Sequence, residues 1–153
     1  VQNHSNTHPY MTQLSTEQMK NELESCNQKI EAITGACPTL FRPPYGDYDN
    51  AVIDAVADMK MYTIQWDVDS LDWKDYSADA ITQRVTTRVK EGSIVLFHNA
   101  AKNTPQALPQ IIEKLQADGY NLVPISKLIY KDHYTINHEG RQIPQTETKT
   151  ETE

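Results

Sequence analysis

The 153-residue chain carries 14 Lys and Arg against 21 Asp and Glu, for a formal charge of −7 and a pI near 5.2. That balance gives a phosphate backbone nothing to hold, which argues against nucleic acid as a partner. With 38% hydrophobic and 23% charged residues, and no run near the ~18 apolar residues of a membrane span, the chain reads as one globular domain with a single core.

The chain opens on Val1-Gln2-Asn3 and then "HSNTH". From Leu14 the pattern turns helical. Ser15 and Gln18 form a capping box, Met19, Leu23, Cys26, Ile30 and Ile33 recur at three-and-four spacing, and Gly35 stops the helix. "CPTLFRPPYG" predicts a short strand that ends in a stiff, Pro-rich turn. A second helix is expected from Asp49 to Met59, and "MYTIQWDVD" as one strand. Ser77 caps a third helix with Ile81, Val85 and Val89 inward, closed by Gly92. "SIVLFH" has the continuous apolar run of a buried strand. Thr104-Pro105 opens a fourth helix with Leu108, Ile111, Ile112 and Leu115 inward, ended by Gly119. "YNLVP" predicts one more strand and "ISKLIY" a short helix.

Two cysteines are too few for a disulfide framework. Cys26 and Cys37 are expected as small buried hydrophobes, and a bridge between them stays open. From Lys131 the chain becomes polar and ends in Thr and Glu. Residues 131–153 are expected as an extension that cannot fold alone and is flexible at its end. No ligand role is expected for His133 and His138.

Alternation of strand and helix over residues 1–130 predicts an α/β domain of parallel βα units with helices outside a sheet or barrel. In such folds the chemistry gathers at the C-terminal ends of strands. Four polar clusters stand at those ends: "HSNTH", "RPPYG", "DSLDW" and the histidine of "LFH".

His4 and His8, four apart, suit two imidazoles on one divalent metal, whether on a helical face or in a turn. Surface or capping histidines would give the same pattern, and two histidines leave a catalytic metal one protein ligand short. Ser5 could fix a ring or the loop. Arg42 before Pro43 and Pro44 is a rigidly based cation able to hold a carboxylate bidentately. The turn through Tyr45 and Gly46 could aim a backbone N–H at an oxyanion. Asp69, Asp72 and Trp73 crowd one strand end. His98 ends the most apolar strand, and a nearby Asp72 could orient its ring and favour a protonated general acid.

These four motifs, in this order and with these gaps, resemble the second to fifth motifs of the polysaccharide deacetylases of carbohydrate esterase family 4, the NodB-homology domain. "RPPYG" with "WDVDSLDW" looks most like the bacterial peptidoglycan and sporulation-type members. The resemblance implies the C-terminal portion of a distorted (β/α)7-type barrel. It implies metal ligation by His4 and His8, and a general acid in His98 tuned by Asp72. It further implies an Arg42 that holds the catalytic base, a Tyr45 backbone N–H at the oxyanion, a Trp73 that walls the site and a Leu96 against the acetyl methyl group. Asp69 matches the first acid of the fourth motif.

The implied cofactor is one divalent metal, zinc first, with cobalt, nickel or manganese as alternatives. The implied reaction is deacetylation of N-acetylglucosamine-containing polysaccharide outside the cytoplasm, with an acetylated glycan as the partner. O-deacetylation of acetylxylan is the alternative within enzymes, and an inactive glycan-binding fragment the alternative in another class. The family's first motif, Thr-Phe-Asp-Asp, with its base and third ligand, is absent from these residues. The chain is therefore expected to start in mid-domain and to be incomplete alone, with the N-terminal fragment of the same domain as a candidate separate partner chain.

Overall fold

The computed structural model describes residues 1–145. It forms two compact units, Val1–Gln65 and Trp66–Glu153. No helix among the described residues is long and apolar enough to cross a membrane.

In the first unit, helix α1 (Thr16–Thr34) starts on the predicted capping box. The Gln18 N–H donates to Ser15 Oγ and the Ser15 N–H to Gln18 Oε1. Gly35, at φ 72, closes it in the left-handed conformation that glycine adopts without strain. Strand β1 (Leu40–Phe41) leads through helix α2 (Asn50–Asp58) to strand β2 (Tyr62–Thr63), which pairs with β1 in parallel. Asn3 bridges to Phe41 on the other side, also in parallel. Met11, Met19, Leu23, Phe41, Val52 and Val56 form the core.

The buried face of α1 runs through Met19, Leu23 and Asn27, and Ile33 is 86% exposed, against the expected stripe. The stripe swings toward Asn27 because its amide meets a buried partner in Asn3. Both cysteines are free thiols, and against the expected burial Cys26 is half-buried and Cys37 exposed. Cys37 lies past the helix cap, where no core covers it.

The second unit repeats the strand–helix–strand order. Strand β3 (Val68–Asp69), helix α3 (Ala78–Thr86) and strand β4 (Val95–Leu96) make a parallel pair with Val68 opposite Val95. The expected single strand "MYTIQWDVD" is therefore two, because its halves pair with different partners. Helix α3 ends at Thr86 rather than at Gly92, where the hydroxyls of Thr86 and the capping Thr87 donate to carbonyls one turn back.

Helix α4 (Thr104–Ala117) buries Thr104, Ala107, Ile111 and Leu115, whereas Ile112 is 41% exposed and Leu108 half-buried. Ile81, Val85 and these α4 residues form the second core. "YNLVP" forms no strand, and Leu122 and Val123 stay exposed. Helix α5 (Ile125–Leu128) follows as predicted.

The polar tail holds more order than its composition suggests. Strands β5 (Tyr134–Ile136) and β6 (Gln142–Pro144) form an antiparallel hairpin, and Asn137 Oδ1 accepts the N–H groups of Glu139 and Arg141 at its turn. His133 and His138 are exposed on it. The flexible end expected for this extension falls on residues 146–153, outside the described residues. The parallel βα pairs match the predicted class. Each pair of strands is a separate two-stranded sheet, so neither unit closes a barrel among the described residues.

Candidate active site

The bridge between Asn3 and Phe41 sets the first cluster. Asn3 N–H donates to Leu40 O and Arg42 N–H to Asn3 O. His4 and Arg42 therefore leave two neighbouring parallel strand ends at the same level. His4 Nδ1 lies 2.6 Å from the Arg42 carbonyl oxygen. A carbonyl can only accept, so this contact assigns the proton to Nδ1 and the lone pair to Nε2, the tautomer a metal ligand needs. Arg42 Nη2 sits 3.5 Å from that Nε2. Burial lowers the Arg42 pKa, yet a guanidinium stays cationic. Among the described residues Arg42 forms no ion pair with a carboxylate.

His8 lies in a turn rather than on a helix. Ser5 (φ 66) and His8 (φ 61) both adopt the left-handed region, at a cost of about 1–2 kcal/mol each. The loop is held by side chains. Ser5 Oγ accepts the His8 N–H at 2.9 Å, and the buried Asn3 accepts the Ser5 N–H at 2.8 Å. The Asn3 amide donates to Leu23 O and Asn27 Oδ1 on α1. The Glu22 carboxylate, also on α1, takes the N–H groups of Asn6 and Thr7 at 2.8 Å and the Thr7 hydroxyl at 2.7 Å. Partial burial raises the Glu22 pKa, but these bonds and Lys29 outweigh it and hold the carboxyl below its ordinary value.

The imidazoles of His4 and His8 stand with centroids 5.0 Å apart, nearly perpendicular. The His8 ring meets the Tyr45 ring edge-on at 4.6 Å, and Tyr10 stacks on Tyr45 at 4.2 Å. Tyr45 itself has φ 59, in a 3-10 turn started by Pro44.

The second cluster follows the paired ends of β3 and β4. Asp69 Oδ1 accepts the Leu71 N–H at 2.8 Å, which supports Leu71 at φ 53 and turns the chain so that Asp72 points inward. Asp72 is fully buried. Its Oδ1 accepts from His98 Nδ1 at 2.8 Å, and its Oδ2 from the His98 N–H at 3.0 Å and the Thr104 hydroxyl at 2.7 Å. Burial works to raise the Asp72 pKa; the bonds from the His98 N–H, Thr104, the His98 ring and Ser70 win and hold it below the ordinary carboxylate value. His98 therefore carries its proton on Nδ1 and is 37% exposed. Trp73 is exposed, 6.5 Å from the His98 ring and edge-on to it, with Lys74 Nζ over its face. Leu96 is buried in β4.

Residues 1–64 match the family model for polysaccharide deacetylase. A solved structure of a family 4 carbohydrate esterase from Streptomyces lividans, in complex with acetate, is 35% identical with a TM-score of 0.75. The match covers 95% of this chain and 70% of that one. The chain belongs to carbohydrate esterase family 4. A relative, the peptidoglycan-N-acetylmuramic acid deacetylase PdaC of Bacillus subtilis, is 38% identical over 128 residues, 84% of this chain and 27% of that protein. BA3943 of Bacillus anthracis, a pseudoenzyme of the family, is 38% identical with a TM-score of 0.81, over 86% of this chain and 46% of that one. The chain thus spans about a quarter of the length of PdaC and under half of BA3943.

Set in this family, the first unit brings together His4, His8, Arg42 and Tyr45, and the second Asp72, Trp73, Leu96 and His98. Among the described residues no three His, Cys, Asp or Glu side chains are grouped for a metal. The donors present, two imidazoles with His4 in the ligating tautomer, suit a zinc-like ion and need a further ligand. No motif or periodicity points to Glu22 or Asn3 as supports of the histidine loop. A buried Thr at the start of α4 was readable as a helix boundary, but not as a partner of Asp72.

Proposed function

We propose that the chain carries the histidine metal-ligand pair and the proton-donating pair of a deacetylase acting on N-acetylglucosamine-containing polysaccharide of the cell wall, outside the cytoplasmic membrane. The observation that carries this reading is the buried Asp72 bonded to His98 Nδ1 at 2.8 Å, within an ordered set of family motifs. An acid that must protonate a leaving amine needs one fixed ring nitrogen and a partly exposed face, and His98 has both.

His4 and His8, with an aspartate of the family's first motif, would hold one divalent ion, zinc before cobalt, nickel or manganese. Such an ion polarises an acetyl carbonyl and lowers the pKa of a bound water. Arg42 orients the carboxylate that removes the water proton, the Tyr45 N–H donates to the developing oxyanion, and Leu96 and Trp73 bound the acetyl group. His98 then protonates the nitrogen as its bond to the former carbonyl carbon breaks, so the sugar amine departs and acetate is released. Hydrolysis of an acetyl ester in xylan needs the same groups and remains the alternative substrate.

These 153 residues contain no Thr-Phe-Asp-Asp stretch. The test therefore joins a first-motif segment from a family deacetylase ahead of Val1 and measures acetate release with zinc. Release from peptidoglycan or chitooligosaccharide, exceeding that from acetylxylan, is expected. A folded, zinc-loaded protein that releases no acetate from any of them overturns the reading in favour of an inactive glycan-binding protein.

A further inference from the structure

We propose that Thr104 is a positioning residue for His98, acting through Asp72. This rests on the reading of Asp72 and His98 as the proton-donating pair and adds a residue to it. A buried carboxylate with one partner can rotate about χ2 and present either oxygen, or both at once, to that partner. Asp72 does not have that freedom. Oδ2 is engaged by the His98 backbone N–H at 3.0 Å and the Thr104 hydroxyl at 2.7 Å, and the buried Ser70 hydroxyl also bears on the carboxylate. Oδ1 is thereby left to the His98 ring at 2.8 Å.

The two locks on Oδ2 come from different elements. The His98 N–H follows β4, and Thr104 is the first residue of α4. Thr104 is 7% exposed, so water does not readily replace its hydroxyl. Its side chain spends its one proton on Asp72 rather than on a carbonyl of its own helix. The first turn of α4 also presents the positive end of the helix, which favours an anion there. Pro105 and Ala107 continue that turn without any charge. The charged groups nearest the pair in sequence are Lys74, whose ammonium lies over Trp73, Asp69, whose Oδ1 is taken by Leu71, and Asp75, which is exposed.

The consequence is a fixed tautomer. With Oδ1 held toward Nδ1, His98 keeps its proton there and turns Nε2 to the exposed side. Without the Thr104 hydroxyl, Asp72 gains torsional freedom and the neutral ring gains access to the other tautomer.

The experiment uses the ¹⁵N-labelled 153-residue chain and needs no catalysis, so it can fail while the deacetylase reading stands, or succeed while that reading falls. Imidazole nitrogen shifts of His98 are recorded at alkaline pH, where the shifts themselves show a neutral ring, together with exchange of the Nδ1 proton with water. The wild type is expected to show the Nδ1–H form alone. Thr104→Val, close in shape but without the hydroxyl, is expected to show mixed tautomers and roughly tenfold faster exchange, the scale of one lost bond to a charged group. Thr104→Ser, which keeps the hydroxyl, is expected to restore both. Thr104→Ala removes the hydroxyl without a buried methyl and gives the same readout should Thr104→Val not fold. Wild-type shifts and exchange in a folded Thr104→Val or Thr104→Ala overturn the proposal. Loss of the single tautomer in Thr104→Ser as well overturns it too, since packing rather than the hydroxyl would then be responsible.

Discussion

Removing the Glu22 carboxylate should weaken metal binding by the histidine pair without touching either imidazole. Ser5 and His8 sit in the left-handed region, which together costs about 2–4 kcal/mol. Glu22 opposes that with three bonds to Asn6 and Thr7, each worth about 1 kcal/mol net. Asn3 and Ser5 supply two more contacts to the same loop. The strain and the support are thus of similar size. In Glu22→Ala the competent loop conformation should fall to about a tenth of the population, and the apparent Kd for zinc should rise about tenfold in proportion. The assay is calorimetric titration of zinc into the chain joined to a first-motif segment and its variant at neutral pH, with urea unfolding in chelator as the control. The unfolding difference should be about 1–3 kcal/mol at neutral pH. Because the folded Glu22 pKa lies below the ordinary value, this contribution is fully present above the unfolded value, about 4.3, and fades as pH falls through the folded one. The two unfolding curves should therefore converge in acid. Unchanged zinc affinity in Glu22→Ala would refute the argument that the loop is held from α1.

Three further outcomes follow from the same geometry. In a form joined to a first-motif segment, His98→Ala should cut acetate release by about 10²–10⁴-fold while leaving the zinc Kd unchanged, whereas His4→Ala and His8→Ala should raise that Kd; equal metal loss in all three would make His98 a ligand. Asp72→Asn should destabilise by about 1–3 kcal/mol, since one amide oxygen cannot accept from all the donors that Asp72 meets. With the folded Asp72 pKa lowered, the gap to wild type should be full above the unfolded value of about 3.9 and close as pH drops through the folded value; a gap that widens in acid would contradict the assignment. Ser15→Ala should cost about 1 kcal/mol by urea unfolding through loss of the capping box, and a neutral result would place the stability of α1 in its packed face alone.

Local signals made some of this legible in the sequence. The Ser15–Gln18 box, the Ser77 cap and Gly35 are short-range devices, and the helix ends they mark fell where they pointed. What failed needed knowledge of partners. "MYTIQWDVD" reads as one strand, yet β2 pairs with β1 and β3 with β4. "YNLVP" has strand-like residues, and propensity alone does not make a strand without a neighbour. Asp72 beside His98 could be anticipated from strand-end placement. Glu22 and Thr104 could not, because each reaches its target across a separation that no periodicity encodes.

Both clusters solve the same physical problem in the same way. A functional histidine must keep part of its surface open, and an open side chain has rotamers to spare. In each unit the restraint comes from a buried polar residue at a strand end: Asn3 is 2% exposed and Asp72 fully buried. Burying such groups without partners would cost several kcal/mol, and both are fully bonded. The partners that satisfy them come from a helix further along the chain, Leu23 and Asn27 on α1 for Asn3, Thr104 on α4 for Asp72. The hydrogen bonds that remove the burial penalty are thus the same bonds that fix the geometry. Asn3 then holds the loop carrying His4 and His8 through Ser5, and Asp72 holds His98 directly. Precision at an exposed group is obtained by placing its restraint where water cannot compete. That is why truncating the buried member of either set should disturb the exposed histidines more than any substitution on their solvent side.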